Sequence, residues 1–131
     1  MTVIDGSLLV AALVDVGRDG RWAEGVIAAE ELAGPELALA ETSDILRRLE
    51  RAERISRFEA VAAHRDMLRL DVELFPFRPF ANRVWELREN LTGYDAWYVA
   101  VAEALECPFA TLDRKLSRTA GPLCEIMIPP N

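Results

Sequence analysis

The chain has 131 residues, 51% apolar and 28% charged, with a net charge of −7, two cysteines and one histidine; this balance suits one folding unit over residues 1–131 and excludes a fibrous or disordered chain. Cys107 and Cys124 are too few for a disulfide framework, His64 alone builds no histidine zinc site, and the longest apolar run, Leu8 to Val14, is far below membrane-spanning length, so a cytoplasmic protein is expected. The acid excess argues against a general nucleic-acid coat but not against a nuclease, because 14 of the 15 cations are arginine, the better phosphate fork.

Thr2 to Asp5 is a β-prone run ending in a carboxylate, and Ser7 is placed to cap an apolar helix through Val16. After the Arg18-Asp19-Gly20 turn, Trp22, Val26, Ile27 and Glu30 to Leu32 predict a second helix stopped at Gly34-Pro35. Leu37 to Ala40 then reads as a second strand that delivers Glu41 to the first turn of the next helix. Ile45, Leu46, Leu49 and Ala52 fall three and four apart and predict that helix from Glu41 to about Glu53. Ser56 caps another, with Phe58, Val61, Ala62, Met67 or Leu68, and Leu70 as its core side. Val72 to Phe75 alternates as a strand, Pro79 opens a helix carrying Val84, Trp85 and Leu87 to about Asn90, and Thr92 caps a helix over Tyr94 to Glu106. Phe109 to Leu112 is a strand, Asp113 to Thr119 a short helix, and Glu125 to Ile128 a last strand. Strands alternating with helices predict an α/β fold, a single domain whose central parallel sheet of about five strands is flanked by helices.

In such a sheet, ligands bind beyond the carboxyl ends of the strands. Asp5 and Asp113 follow strands, and Glu41 and Asp95 are expected in the first turns of helices. Taken singly, each is an acid meeting a helix dipole, worth about 0.3–1 kcal/mol. The apolar company they keep, in Val3-Ile4-Asp5, Leu39-Ala40-Glu41, Tyr94-Asp95-Ala96 and Thr111-Leu112-Asp113, places them on half-buried ground. Carboxylates gathered there repel unless protons or a cation neutralise them, and a set without His or Cys selects Mg²⁺ or Mn²⁺ over zinc. Phosphoryl chemistry follows from such a site.

These segments, Val3 to Leu13, Leu37 to Glu41 leading into Ile45 to Arg48, Leu91 to Glu103, and Ala110 to Leu116, resemble the PIN-domain ribonucleases, most closely the VapC toxins of bacterial toxin–antitoxin pairs. The likeness runs from the first strand to the last, with an acid in each expected slot. It implies an Mg²⁺- or Mn²⁺-dependent endoribonuclease that leaves 5′-phosphate and 3′-hydroxyl ends, held silent by a small cognate antitoxin. By position, Asp5, Glu41, Asp95 and Asp113 are its catalytic and metal-binding quartet. Ser7 matches the family's serine beside the first acid, and Thr111 its hydroxyl residue before the last. Gly6 stands where alanine is usual, and Asp44, where asparagine is frequent, adds a fifth acid one turn from Glu41. The other readings are a housekeeping or inactive PIN-domain RNA-processing protein and a receiver-like signalling module. The last needs a phosphoacceptor on a middle strand and a late lysine, whereas the one lysine, Lys115, follows Asp113 closely.

Ser7, Thr111 and Arg114 are candidate substrate contacts, against plainer roles as helix cap, strand residue and rim ion pair. Arg47, Arg51 and Arg54 share one helix face, with Glu50–Arg54 and Glu53–Arg57 pairing expected and RNA or antitoxin contact the sharper reading. His64 is expected exposed on its helix. Trp22, Trp85, Trp97 and Tyr98 are read as core or as packing in a homodimer.

Overall fold

The computed structural model describes residues 1–131. In chain order it holds β1 (Thr2–Ile4), α1 (Gly6–Val14), α2 (Arg18–Ala29), β2 (Leu32–Pro35), α3 (Leu37–Arg51), α4 (Arg57–Arg69), β3 (Val72–Phe75), α5 (Ala81–Glu86), α6 (Gly93–Leu105), β4 (Phe109–Ala110) and β5 (Ile126–Met127). All strand pairs are parallel, in the spatial order β3-β2-β1-β4-β5. The chain therefore winds outward from β1 in one direction and then in the other. The order reverses between β1 and β4, the point where a crevice opens beyond the strand ends.

Period-two alternation divides the core into two layers. Val3, Ala33 and Phe109 face α5 and α6, where Val84, Leu87, Ala96, Tyr98 and Val99 cover them. Ile4, Leu32 and Ala110 face α1 and α2, against Leu8, Leu9, Ala23 and Val26. Both faces of the short strands are thus buried, as a parallel sheet requires. The Tyr98 and Phe109 rings stack at 5.4 Å across the first layer. A smaller cluster of Val10, Leu46 and Ala63 seats α3 and α4 on α1.

The second strand is Leu32–Pro35, not Leu37 to Ala40; the latter is the first turn of α3. Leu-Ala-Gly-Pro looks like a helix stop, yet it lies buried between β1 and β3. Gly34 suits that place because a Cβ on it would meet the Ile4 carbonyl oxygen at 3.2 Å. The helix expected over Asp113 to Thr119 is one 3₁₀ turn, Leu116–Arg118.

The predicted core side of α4 holds at Met67 and in part at Leu70, but not at Phe58, Val61 or Leu68. Ala60, Ala63 and Met67 are buried, whereas Phe58, Val61 and Leu68 are 82, 51 and 62% exposed. Small residues let α4 approach its neighbours closely and leave the larger ones outside. Its cap is the expected one: Ser56 and Glu59 form a reciprocal capping box. Neither Glu50–Arg54 nor Glu53–Arg57 pairs, because α3 ends at Arg51 and Glu53 takes a left-handed φ of 56°. His64 is only half-exposed, its Nε2 lying 3.1 Å from Ser43 Oγ. Trp85 is exposed beneath the Arg88 guanidinium, while Trp97 packs edge-on against Phe77.

Candidate active site

At the switch point, β1 ends in Asp5 and β4 runs into Thr111. Asp5, not Ser7, caps α1: its Oδ1 accepts from the Leu8 N–H at 3.0 Å. Ser7 lies inside the first turn, where its hydroxyl donates to Asp5 Oδ1 at 2.7 Å and accepts from Leu112 N at 3.3 Å. Thr111 donates to Asp5 Oδ2 at 2.6 Å and accepts from Asp113 N at 3.1 Å. The two central strand ends are thereby tied through one buried carboxylate. Burial pushes the Asp5 pKa up; the hydrogen bonds from Thr111, Ser7 and Leu8 oppose this, and the charge of Asp113 adds to it.

The other three acids approach from separate elements. Glu41 belongs to the second turn of α3, not the first, and its Oε1 accepts from the Gly6 N–H at 2.8 Å. Burial raises its pKa, the Gly6 N–H opposes that, and the charges of Asp5 and Asp95 raise it further. Asp95 is in the first turn of α6, where the Thr92 side chain accepts from its N–H at 3.1 Å. Its pKa too is raised, first by burial and then by the charges of Asp113 and Asp5. Asp113 is exposed, with Oδ1 accepting from Lys115 N at 3.0 Å. The structure thus brings Asp5, Glu41, Asp95 and Asp113 into one electrostatic neighbourhood, and none of them is in a salt bridge.

The donor chemistry suits a hard divalent cation: four carboxylates, no His or Cys, and three of them, Asp5, Glu41 and Asp95, reluctant to ionise without a counter-charge. The geometry is looser, since no three acidic, histidine or cysteine side chains are arranged to hold a metal ion as they stand. Asp5, Glu41 and Asp113 are each turned to local N–H or hydroxyl donors.

Asp44 is not a fifth member; it pairs with Arg47 at 2.9 Å and Arg48 at 3.2 Å. Thr111, expected as a substrate contact, is fully buried with its hydroxyl committed to Asp5, the geometry of a positioning residue. Arg114 stands at the rim, 3.7 Å from Asp19. Two participants escaped sequence reasoning. The Gly6 N–H holds Glu41, and Tyr98, one turn beyond Asp95 on α6, brings a buried hydroxyl beside Glu41. The Asp95–Tyr98 spacing of three was the available signal for the second.

The five-stranded parallel sheet flanked by helices is that of a PIN domain, and the PIN domain family model matches residues 2–122. Ribonuclease VapC9 of Mycobacterium tuberculosis is 40% identical over 130 residues, with 99% of each chain covered. The chain belongs to the PIN-domain family, in its VapC group. Among solved structures, M. tuberculosis VapC20, described as a sarcin-ricin loop cleaving toxin, superposes with a TM-score of 0.68 at 20% identity over 90% of this chain and 94% of that one. VapBC-5 of M. tuberculosis, a member of a toxin–antitoxin family, gives 0.58 at 23% identity over 97% of each chain. These two likenesses are of fold. No helix is long and apolar enough to cross a membrane.

Proposed function

We propose that this chain is a divalent-metal-dependent endoribonuclease acting as the toxin of a toxin–antitoxin pair, with Asp5, Glu41, Asp95 and Asp113 as the carboxylates of its site. The observation that carries the reading is the meeting of four acids, unneutralised by any cationic side chain, at the switch point of a parallel sheet. The names of the VapC relatives support the ribonuclease assignment. A bound Mg²⁺ or Mn²⁺ ion supplies charge for the phosphate oxygens and makes a water easier to deprotonate.

The chain's own residues do the rest. Thr111 and Ser7 lock the Asp5 carboxylate between β1 and β4, so that it meets a cation without first losing side-chain freedom. Asp95 and Asp113, from α6 and the loop after β4, close the opposite side. Glu41 and Asp95, raised in pKa while no cation neutralises them, would ionise as the cation binds and hold it from α3 and α6. Ser7, half-exposed beside Asp5, and Arg114 at the rim are placed for RNA phosphate, Arg114 by exchanging Asp19 for it.

The partner reading rests on a groove of about 530 Å³ between α3 and α4, where Leu46, Val61 and Leu68 give an apolar floor and Arg47 and Glu50 a charged edge. An antitoxin tail folding along α3 from Ile45 toward Arg54 would cover these residues and carry a basic side chain to the acids. A homodimer is the remaining part of the reading.

The test is direct. Purified chain should cleave RNA with Mg²⁺ or Mn²⁺ and not with EDTA, and its expression alone should arrest growth unless the neighbouring antitoxin gene is co-expressed. Cleavage unchanged by EDTA would refute the metal site. Unimpaired growth with intact nuclease activity would favour an RNA-processing role.

A further inference from the structure

Two first-turn N–H groups of α1 are satisfied by members of the acid cluster. Leu8 is served locally by Asp5, and Gly6 from 35 residues away by Glu41. A helix N-terminus welcomes both, because its unpaired N–H groups carry partial positive charge. The Glu41 contact is possible only because position 6 lacks a side chain. A Cβ there would lie 2.5 Å from Glu41 Oε1 and 2.9 Å from Glu41 Cγ. Turning the terminal carboxylate cannot relieve a clash that includes Cγ, so the whole side chain would have to leave its seat. Conformational freedom is not what the position needs, since Gly6 is helical and the one glycine with positive φ is Gly121.

Tyr98 completes the seat. It is 1% exposed, and its hydroxyl makes no well-formed hydrogen bond, with the Glu41 carboxylate as the acceptor beside it. An orphaned hydroxyl at this depth is costly unless a nearby acceptor comes within reach. The acceptor beside it is the Glu41 carboxylate.

We propose that Gly6 and Tyr98 are positioning residues for Glu41: the missing Cβ admits the carboxylate to the Gly6 N–H, the Tyr98 hydroxyl steadies it, and together they set how tightly the site takes a divalent cation. This rests on the carboxylate-site reading above. Glu41 Oε2 carries no hydrogen bond and is the oxygen left for the cation. The space at position 6, and not a ligand identity, thereby tunes affinity. Outer partners that orient metal-binding carboxylates typically govern affinity by ten- to a hundredfold.

The experiment is Mn²⁺ titration of the purified full chain, read by the electron paramagnetic resonance of free Mn²⁺, for wild type, Gly6→Ala, Tyr98→Phe, Glu41→Ala and the doubles Gly6→Ala/Glu41→Ala and Tyr98→Phe/Glu41→Ala. Gly6→Ala and Tyr98→Phe should each raise Kd about tenfold. Both effects should vanish, to within about twofold, once Glu41 is alanine, because residues acting through one side chain are not additive. A single variant with the wild-type Kd, or a penalty that survives in the Glu41→Ala background, overturns the proposal for that residue. Where Gly6→Ala does not fold, the Tyr98 cycle decides. Wild-type protein that binds no Mn²⁺ refutes the carboxylate-site reading itself, and the positioning proposal with it.

Discussion

Thr111→Val tests the buried tie between β1 and β4. The replacement keeps the shape and the β-branch but removes a hydroxyl that is fully buried, donates to Asp5 Oδ2 at 2.6 Å and accepts from Asp113 N at 3.1 Å. A hydrogen bond to a charged group contributes about 1.5–3 kcal/mol and a neutral one about 1 kcal/mol, so the variant should lose about 2–4 kcal/mol when Asp5 is ionised. Burial already raises the Asp5 pKa, and losing the Thr111 donor raises it further. As pH falls through that raised value Asp5 takes up a proton, the missing donor matters less, and the penalty shrinks. The assay is urea unfolding of wild type, Thr111→Val and Thr111→Ser in EDTA across a series of pH values from alkaline to acid, followed by circular dichroism. Thr111→Ser, which keeps the hydroxyl, should lose only about 1 kcal/mol for its methyl group. A Thr111→Val midpoint equal to that of wild type at alkaline pH, or a penalty that does not shrink anywhere along the acid series, would refute the reasoning.

Asp95→Asn removes one of the mutually repelling charges, so in EDTA at neutral pH it should fold at least as stably as wild type in thermal melts while metal-dependent RNA cleavage falls by at least about a hundredfold. Asp5, Glu41 and Asp95 all have raised folded-state pKa values, so between the unfolded and folded values the native chain binds more protons than the unfolded one. Their contribution to stability in EDTA should therefore fall as pH rises through that window and return on acidification to it, an outcome checked by melting temperature against pH. Mg²⁺ or Mn²⁺ at a hundredfold excess over Kd should add about 2.7 kcal/mol, and at a fixed metal concentration the gain should grow with pH because the ligands must first ionise. Far from the site, Arg83 forks onto Glu103 at 2.7 and 3.1 Å and donates to the Gly121 carbonyl at 3.0 Å. Although burial pushes the Glu103 pKa up, Arg83 and the Leu123 N–H hold it below the usual carboxylate range. Arg83→Met should lower stability by about 1–3 kcal/mol, discounted for the partial exposure of the pair, and leave the Mn²⁺ Kd unchanged.

Much of the fold was legible because local chemistry and tertiary environment agreed. The Thr92 cap, the Ser56–Glu59 capping box and the Val72 to Phe75 alternation are short-range signals, and each marks its element as expected. The family was legible for a related reason: Asp5 ends a β-prone run, and Asp95 sits in the first turn of a helix marked by its Thr92 cap. The failures occur where distant residues decide. Leu32–Pro35 becomes a strand because β1 and β3 bury it from both sides, and Gly34, locally a breaker, is what lets the Ile4 carbonyl approach. The large apolar residues of α4 lie outside because its alanines do the packing. Asp44 leaves the cluster for Arg47 and Arg48, a choice among neighbours that helical spacing alone leaves open. The seating of Glu41 on the Gly6 N–H beneath Tyr98 spans 35 and 57 residues of chain. Sequence by itself determined that Asp5 ends a strand and that Asp95 opens a helix, since strand ends and caps are local. Only the tertiary structure decided how each carboxylate is held there, because its partners come from other elements and its charge is set by how deeply they bury it.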